Sequence, residues 1–202
     1  MSEKELYSHL GELTKDKEQW KENITFVASL LKGQSIKIIG KSLWLLGEMG
    51  MVYPEEISPF VEQIATFLKS NDELLKERAL NALGRIGRSD YELIKPYRDE
   101  MFLLATDDSP SVRLSFIWAS ENIATNTPEA YEHFIPIFEK LLDDKSVRVR
   151  MEAPEMFRVL GKRKPNFVRH CLDKLKSLSE EDDDRVVRIH AIGAIKAITQ
   201  SK

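Results

Sequence analysis

Small and apolar residues recur along this chain at an interval of about 37 residues. Residues 42–50 (SLWLLGEMG) and 79–87 (ALNALGRIG) share the pattern small–Leu–x–apolar–Leu–Gly–x–apolar–Gly. Related segments follow at 116–124 and 153–161, and a fifth copy at 191–198 is displaced by one position. Helical apolar spacing repeated at this interval is typical of a stacked array, in which each unit buries its apolar face against its neighbours.

Each repeat predicts two helices. The first is amphipathic and has a proline near its middle (Pro59, Pro96 and Pro136), which removes a hydrogen bond and bends the helix. The second is rich in small residues, which permit close helix contact. No segment of any length alternates like a strand, so the pattern predicts one all-α domain. We expect it to cover residues 1–202, with a capping helix at 1–19 and helix pairs at about 20–50, 54–87, 91–124, 128–161 and 165–199.

Local signals predict where these helices begin and end. Ser70 and Ser89 each precede a glutamate by three residues, which is the spacing of a capping box. Gly50, Gly87 and Gly161 lie where each second helix is expected to end, because glycine favours the position after a helix C-terminus.

An acidic turn followed by valine and arginine separates the paired helices, at residues 107–113, 143–148 and 182–188. Together with the proline upstream, this pattern resembles the HEAT repeat, and the resemblance covers nearly the whole chain, about residues 20–199. It implies a right-handed α-solenoid of about five helix pairs.

The same resemblance implies that the aspartates and arginines of these turns are structural. They would form a ladder of charged contacts between neighbouring repeats, and local physics agrees, because aspartate favours a helix N-terminus. In the fourth repeat both Arg148 and Arg150 fit the arginine position.

In HEAT solenoids the second helices line the concave face. In the second repeat the apolar stripe within residues 79–86 is expected to be buried, so that Arg78, Asn81 and Arg85 fall on the other side. The repeat interval carries Arg78 to Lys41 and carries Asn81 to two tryptophans. The candidate binding residues of this groove are Lys41, Trp44, Glu48, Arg78, Asn81, Arg85, Trp118 and Asn122.

Two interpretations of Trp44 and Trp118 stay open at this stage. Each ring either folds over its own repeat as additional core or stands in the groove as an aromatic anchor. Tryptophan and arginine are the residues most often found as binding hot spots. A groove of this mixed character suits a peptide, another protein or a nucleic-acid backbone.

A second, shorter resemblance concerns the HEAT-repeat DNA glycosylases that excise alkylated purines. Residues 75–79 (LKERA) and 117–128 are similar to the stretches bearing that family's functional arginine and one of its tryptophans. The resemblance implies DNA-contacting roles for Arg78 and Trp118. Lys41 occupies the position of the catalytic aspartate, so the implied activity is DNA binding without excision.

Two further surfaces are candidates. One is a basic cluster that either contacts phosphates or is the solvated end of a helix pair. Its residues are Arg158, Lys162, Arg163 and Lys164. The other is the last helix, whose apolar stripe at Ile192 and Ile195 would continue into a partner if the chain docks through its final repeat.

Composition narrows the function. The net charge of −3 argues against a general nucleic-acid binder, and no apolar run approaches the length that spans a bilayer. The histidines and Cys171 lack metal-ligand spacing, and no phosphate-binding loop is present. We therefore expect a cytoplasmic, non-enzymatic scaffold that has no catalytic residue, metal or cofactor and binds a protein or peptide. DNA is the alternative partner, and no membrane is expected.

Overall fold

The computed structural model describes residues 1–200, which contain no β-strand. The chain divides into two compact units, one formed by Met1–Leu104 and one that begins at Ala105. The helices of the first unit are α1 (Glu3–Leu13), α2 (Trp20–Ser29), α3 (Ile36–Val52), α4 (Pro54–Ile57), α5 (Val61–Thr66), α6 (Glu73–Ser89), α7 (Tyr91–Ile94) and α8 (Arg98–Leu103). Those of the second are α9 (Pro110–Asn126), α10 (Ile135–Leu141), α11 (Val147–Arg163), α12 (Pro165–Val168), α13 (Leu172–Glu181) and α14 (Arg185–Gln200).

The long, small-residue-rich helices form the core of each unit. In the first unit α3 packs against α6, and in the second α11 packs against both α9 and α14. The predicted apolar stripe of α6 is confirmed, since Leu80, Leu83 and Ile86 are fully buried.

The prolines interrupt the first helix of each pair instead of bending it. Pro59 lies in the 3₁₀ turn Ser58–Phe60 between α4 and α5, and Pro96 lies in the turn Lys95–Tyr97 between α7 and α8. Pro136 lies in the first turn of α10, where its missing N–H leaves no bond unmade.

The glycines of the long helices serve close packing, and their prediction as helix ends was wrong. Both α3 and α11 continue two residues beyond Gly50 and Gly161, and no described residue has a positive φ. A Cβ added at Gly47 would lie 2.6 Å from the Cα of Ala82, closer than real Cβ contacts allow. Glycine is therefore selected here by the distance between helices.

The predicted serine caps were also wrong, because a neighbouring aspartate takes the role. Asp72 caps α6 by accepting from the Leu75 N–H at 3.1 Å, and Asp90 caps α7 by accepting from Glu92 at 3.0 Å. Aspartate accepts from a helix N-terminus and its charge complements the helix dipole, which favours it over the adjacent serine.

A charged ladder joins the turns of the second unit, as the HEAT resemblance implies. Arg113 donates to both carboxylate oxygens of Asp144 at 2.7 Å, and the Nε of Arg150 donates to Asp182 at 2.8 Å. Arg150 therefore takes the arginine position of the fourth repeat, and Arg148 is exposed.

Candidate binding cavity of the first unit

A cavity of about 510 Å³ opens on the face that α3, α6 and α1 share. Three of the predicted groove residues, Lys41, Trp44 and Arg78, lie together in its wall. The complete lining is Tyr7, Ile36, Lys37, Gly40, Lys41, Trp44, Leu74 and Arg78.

Helix α3 aligns its cavity residues by its period. Lys37, Lys41 and Trp44 are spaced by four and three residues and therefore share one face. The helix begins at an ordered cap, where Ser35 Oγ accepts from the Ile38 N–H at 3.3 Å. Gly40 lies at the floor of the cavity, where an added Cβ would make an ordinary contact with Leu74 Cδ2 at 3.6 Å, so packing does not require glycine there.

Two lysines lie over aromatic rings in this cavity. The Lys41 Nζ is 4.5 Å from the centre of the half-buried Trp44 ring, and the Lys37 Nζ is 4.2 Å from the centre of the Tyr7 ring. Both distances are within the range of cation–π attraction. The rings therefore hold the ammonium groups at the cavity wall.

The cavity carries positive charge that its own lining does not neutralise. Its lining contains no acidic residue, and in the part of the chain that the structure describes no carboxylate lies within 4.0 Å of the cationic atoms of Lys37, Lys41 or Arg78. Burial, reinforced by the charge of Arg78, lowers the pKa of Lys41. An anion bound beside Lys41 would offset the repulsion from Arg78 and raise this pKa, because an opposite charge favours the ammonium form.

The other predicted residues of this unit bond to one another. The Arg85 Nε lies 2.6 Å from Glu48 Oε1, and Arg85 Nη1 donates to the Asn81 carbonyl at 3.3 Å. Asn81 in turn donates to the Glu77 carbonyl at 2.9 Å. Glu48, Asn81 and Arg85 thus form a bonded row, separate from the residues that line the cavity.

Five lining residues were not among the predicted groove residues: Tyr7, Ile36, Lys37, Gly40 and Leu74. Tyr7 belongs to α1, which lies outside the repeats, so the repeat interval carries no information about it. Ile36 and Leu74 lie in the first turns of α3 and α6, ahead of the small-residue segments used to align the repeats.

In the second unit, Trp118 lies in acidic surroundings. Trp118 is 38% exposed. Burial raises the pKa of Glu152, and the neighbouring indole of Trp118 opposes that rise. Asn122, one turn further on, donates to the Trp118 carbonyl at 3.0 Å. A cavity of about 460 Å³ near Glu152 is lined by Glu152, Glu155, Arg158, Ile189, His190 and Gly193.

Glu121 of α9 is the most perturbed carboxyl group of this region. Burial, and then the charges of Glu152 and Glu155, raise its pKa to about 9. Its Oε1 is buried, and no group among residues 1–200 forms a hydrogen bond with it. The carboxyl group is therefore protonated at neutral pH.

The predicted phosphate patch is partly neutralised within the second unit. Arg158 pairs with Glu155, and the Lys164 Nζ lies 2.8 Å from Glu129 Oε1. Lys162 and Arg163 are exposed in the last turn of α11, where positive charge complements the helix dipole.

Cys171 has neighbours that its sequence spacing did not reveal. Ligand-type atoms of Glu139, His170 and Cys171 lie within 4.8 Å of one another. Burial, and then the hydrogen bond with Glu139, raise the pKa of Cys171 to about 12, so the group is a neutral thiol. Glu139 lies about 32 residues away in sequence, which no local motif captures.

No helix within residues 1–200 combines the length and apolar character needed to cross a membrane.

The fold is that of a HEAT- and armadillo-type α-solenoid, and solved structures agree. A designed armadillo repeat protein in complex with the peptide (KR)4 is 22% identical, with a TM-score of 0.69 over 98% of this chain and 94% of that chain. A computationally designed armadillo repeat protein for modular peptide recognition is 20% identical, with a TM-score of 0.62 over 97% and 94%. An engineered protein is 19% identical, with a TM-score of 0.67 over 96% and 84%.

The family follows from the sequence. The model of the family described as sister chromatid cohesion protein PDS5 matches residues 6–202, and the chain belongs to that family. No curated protein matches the chain.

Proposed function

We propose that this chain is a non-enzymatic adaptor that binds an extended segment of a partner protein on the face formed by α3 and α6. The main observation in support is the cavity of the first unit, where Trp44 and exposed apolar side chains lie beside three cations that have no carboxylate partner among the described residues. Anchor pockets of this kind, with an aromatic ring and an arginine, dominate the energetics of protein recognition.

Comparison with similar folds supports a peptide as the ligand. One structurally similar protein holds the peptide (KR)4, and another was designed for modular peptide recognition. The PDS5 family is described as a sister chromatid cohesion protein, a role that fits an adaptor between proteins. A repeat solenoid serves such a role by presenting an extended surface formed by successive helices.

The test is a selection of random 12-residue peptides, displayed on phage, against the whole protein. Enriched peptides would be synthesised and titrated against a Trp118→Phe variant, whose remaining tryptophans are Trp44 and the buried Trp20. We expect a change in Trp44 fluorescence on binding, and at least tenfold weaker binding after Trp44→Ala. Enriched peptides that bind Trp44→Ala as well as wild type would refute the proposal.

DNA is a second candidate, favoured by one observation. Lys37, Lys41 and Arg78 have no carboxylate partner among the described residues, and Arg78 is the arginine that the glycosylase resemblance assigns to DNA contact. The surroundings of Trp118 argue against DNA. Glu152 lies beside the indole, and Glu121 and Glu155 are close enough to Glu152 to interact with its charge. A DNA-binding protein would show affinity for a labelled duplex that falls steeply with salt and is lost in Arg78→Ala.

A further inference from the structure

We propose that the cavity of the first unit selects a carboxylate-bearing side chain flanked by an apolar one, so that its ligands are acidic–apolar segments of a partner protein. This inference rests on the proposed function above and adds the chemistry of the occupant. Two features support this inference: the positive charge of the cavity, which a carboxylate would complement, and the arrangement of the side chains in its wall.

Several other cations of the same unit, though not all of them, have carboxylate partners. Arg85 pairs with Glu48 at 2.6 Å, and the Lys69 Nζ lies 2.9 Å from Glu100 Oε1. The helices that form the unit thus supply carboxylates to cations elsewhere. The cations Lys37, Lys41 and Arg78 differ from these in that they share one cavity whose lining contains no carboxylate. A carboxylate of the ligand would supply the ion-pair partner that the lining does not provide.

The cations are also arranged before a ligand arrives. Aromatic rings hold Lys37 and Lys41 in place, and the stem of Arg78 lies against the floor near Gly40. Ordering long side chains in advance reduces the conformational entropy lost on binding. The guanidinium of Arg78 adds a planar donor fork that matches a carboxylate with two parallel hydrogen bonds.

The apolar rim favours a protein segment over a bare anion. Ile36 is 45% exposed and Leu74 is 38% exposed, and both lie in the lining together with Trp44. An aliphatic or aromatic side chain next to the carboxylate would cover these surfaces. A phosphate backbone offers no such group, and duplex DNA requires phosphate contacts spread over a wide basic surface.

The experiment uses the peptides enriched on the full-length protein. Each is resynthesised with its aspartates and glutamates replaced by asparagine and glutamine, which preserves shape and removes charge. We expect the enriched set to contain an acidic residue next to an apolar one, and the amide version to bind at least tenfold more weakly. Arg78→Ala and Lys41→Ala should each weaken binding of the acidic version by at least tenfold. The matched control Lys69→Ala, an exposed cation of the same unit, should bind like wild type.

The outcomes separate the two proposals. If the amide peptides bind as tightly and Trp44 fluorescence still responds, the peptide-binding function stands and the acidic selectivity is refuted. If no displayed peptide is enriched and the fluorescence of Trp44 does not change, both the peptide-binding function and the acidic selectivity are refuted. If a 20-base-pair duplex binds more tightly than the acidic peptides and depends on Arg78, the cavity is a nucleic-acid site and the inference is overturned. Thermal melting of each variant, followed by circular dichroism, checks that it is folded.

Discussion

Replacing Glu121 with glutamine is expected to stabilise the protein at neutral pH. In the folded chain the pKa of Glu121 is raised from an ordinary value of 4.5 to about 9, first by burial and then by the negative charges of Glu152 and Glu155. Between these two values the folded state keeps a proton that the unfolded state releases, so rising pH favours unfolding by about 1.4 kcal/mol per pH unit. At pH 7 the accumulated destabilisation is about 3 kcal/mol, and a neutral glutamine avoids it.

Urea unfolding at several pH values, followed by circular dichroism, measures this effect. The free energy of unfolding of Glu121→Gln minus that of wild type should grow by about 1.4 kcal/mol per pH unit between pH 5 and pH 8. The control Glu132→Gln changes an exposed glutamate of the same unit and should change the free energy of unfolding by no more than about 0.5 kcal/mol. A constant difference for Glu121→Gln would refute the reasoning, because it would mean that Glu121 is ionised in the folded protein.

Three further predictions concern stability. Gly47→Ala should destabilise the protein by about 2 kcal/mol, because the added Cβ meets the α6 backbone. Gly40→Ala should stabilise it by up to about 1 kcal/mol, because alanine has the higher helix propensity and its Cβ fits. Thermal melts of the two variants and wild type measure both effects. Arg113→Ala should lower the free energy of unfolding in urea by about 3 kcal/mol, because it leaves Asp144 without its partner in a pair whose side chains are only 6% and 8% exposed. Lys69→Ala, which removes an exposed ion pair, should lower it by less than about 1 kcal/mol. Burial raises the pKa of Asp144, but the hydrogen bonds from Arg113 and then from the Ser146 N–H outweigh it and lower that pKa overall. The stability that the ionised carboxylate contributes should therefore be lost in wild type as the pH falls below about 4. In Arg113→Ala the free energy of unfolding should depend less on pH in this acidic range.

The fold was predictable because burial in a stacked helix depends on a periodic pattern. Leu80, Leu83 and Ile86 are fully buried as the helical spacing predicts. The charged ladder was also predictable from the acidic turns, since an aspartate before a helix and an arginine one turn inside it recur in three turns, with the arginines 37 and 38 residues apart. Both features repeat, so each copy supports the interpretation of the others.

Helix ends were less predictable because one residue type serves two physical demands. Gly50 fits a helix C-terminus, which needs conformational freedom, and also a close helix contact, which needs the absence of a Cβ. Its added Cβ would lie 2.6 Å from Ile86 Cγ1, a contact on another helix that a local pattern does not contain. Ser70 and Asp72 likewise both fit a cap, and only the backbone path decides between them.

The cavity was partly predictable for the same reason. Lys41, Trp44 and Arg78 came from carrying one helix face along the repeat interval, and the structure brings these three together. Tyr7 could not be found in this way, because α1 precedes the repeats. The pairing of Glu48 with Arg85 depends on the distance between α3 and α6, which the sequence pattern leaves undetermined.

A position at which one repeat departs from the pattern of the others can mark a residue that helix packing does not require. The repeat interval carries Gly47 to Gly84 and then to Glu121. At Gly47 the neighbouring helix leaves no room for a Cβ, and Gly84 is also buried, so this register position tends to be enclosed. A glutamate at such a position is expected to be buried with its carboxyl group, and the pKa of about 9 follows from that burial. The repeat therefore contained a signal for Glu121, which is a polar residue where two earlier copies carry glycine.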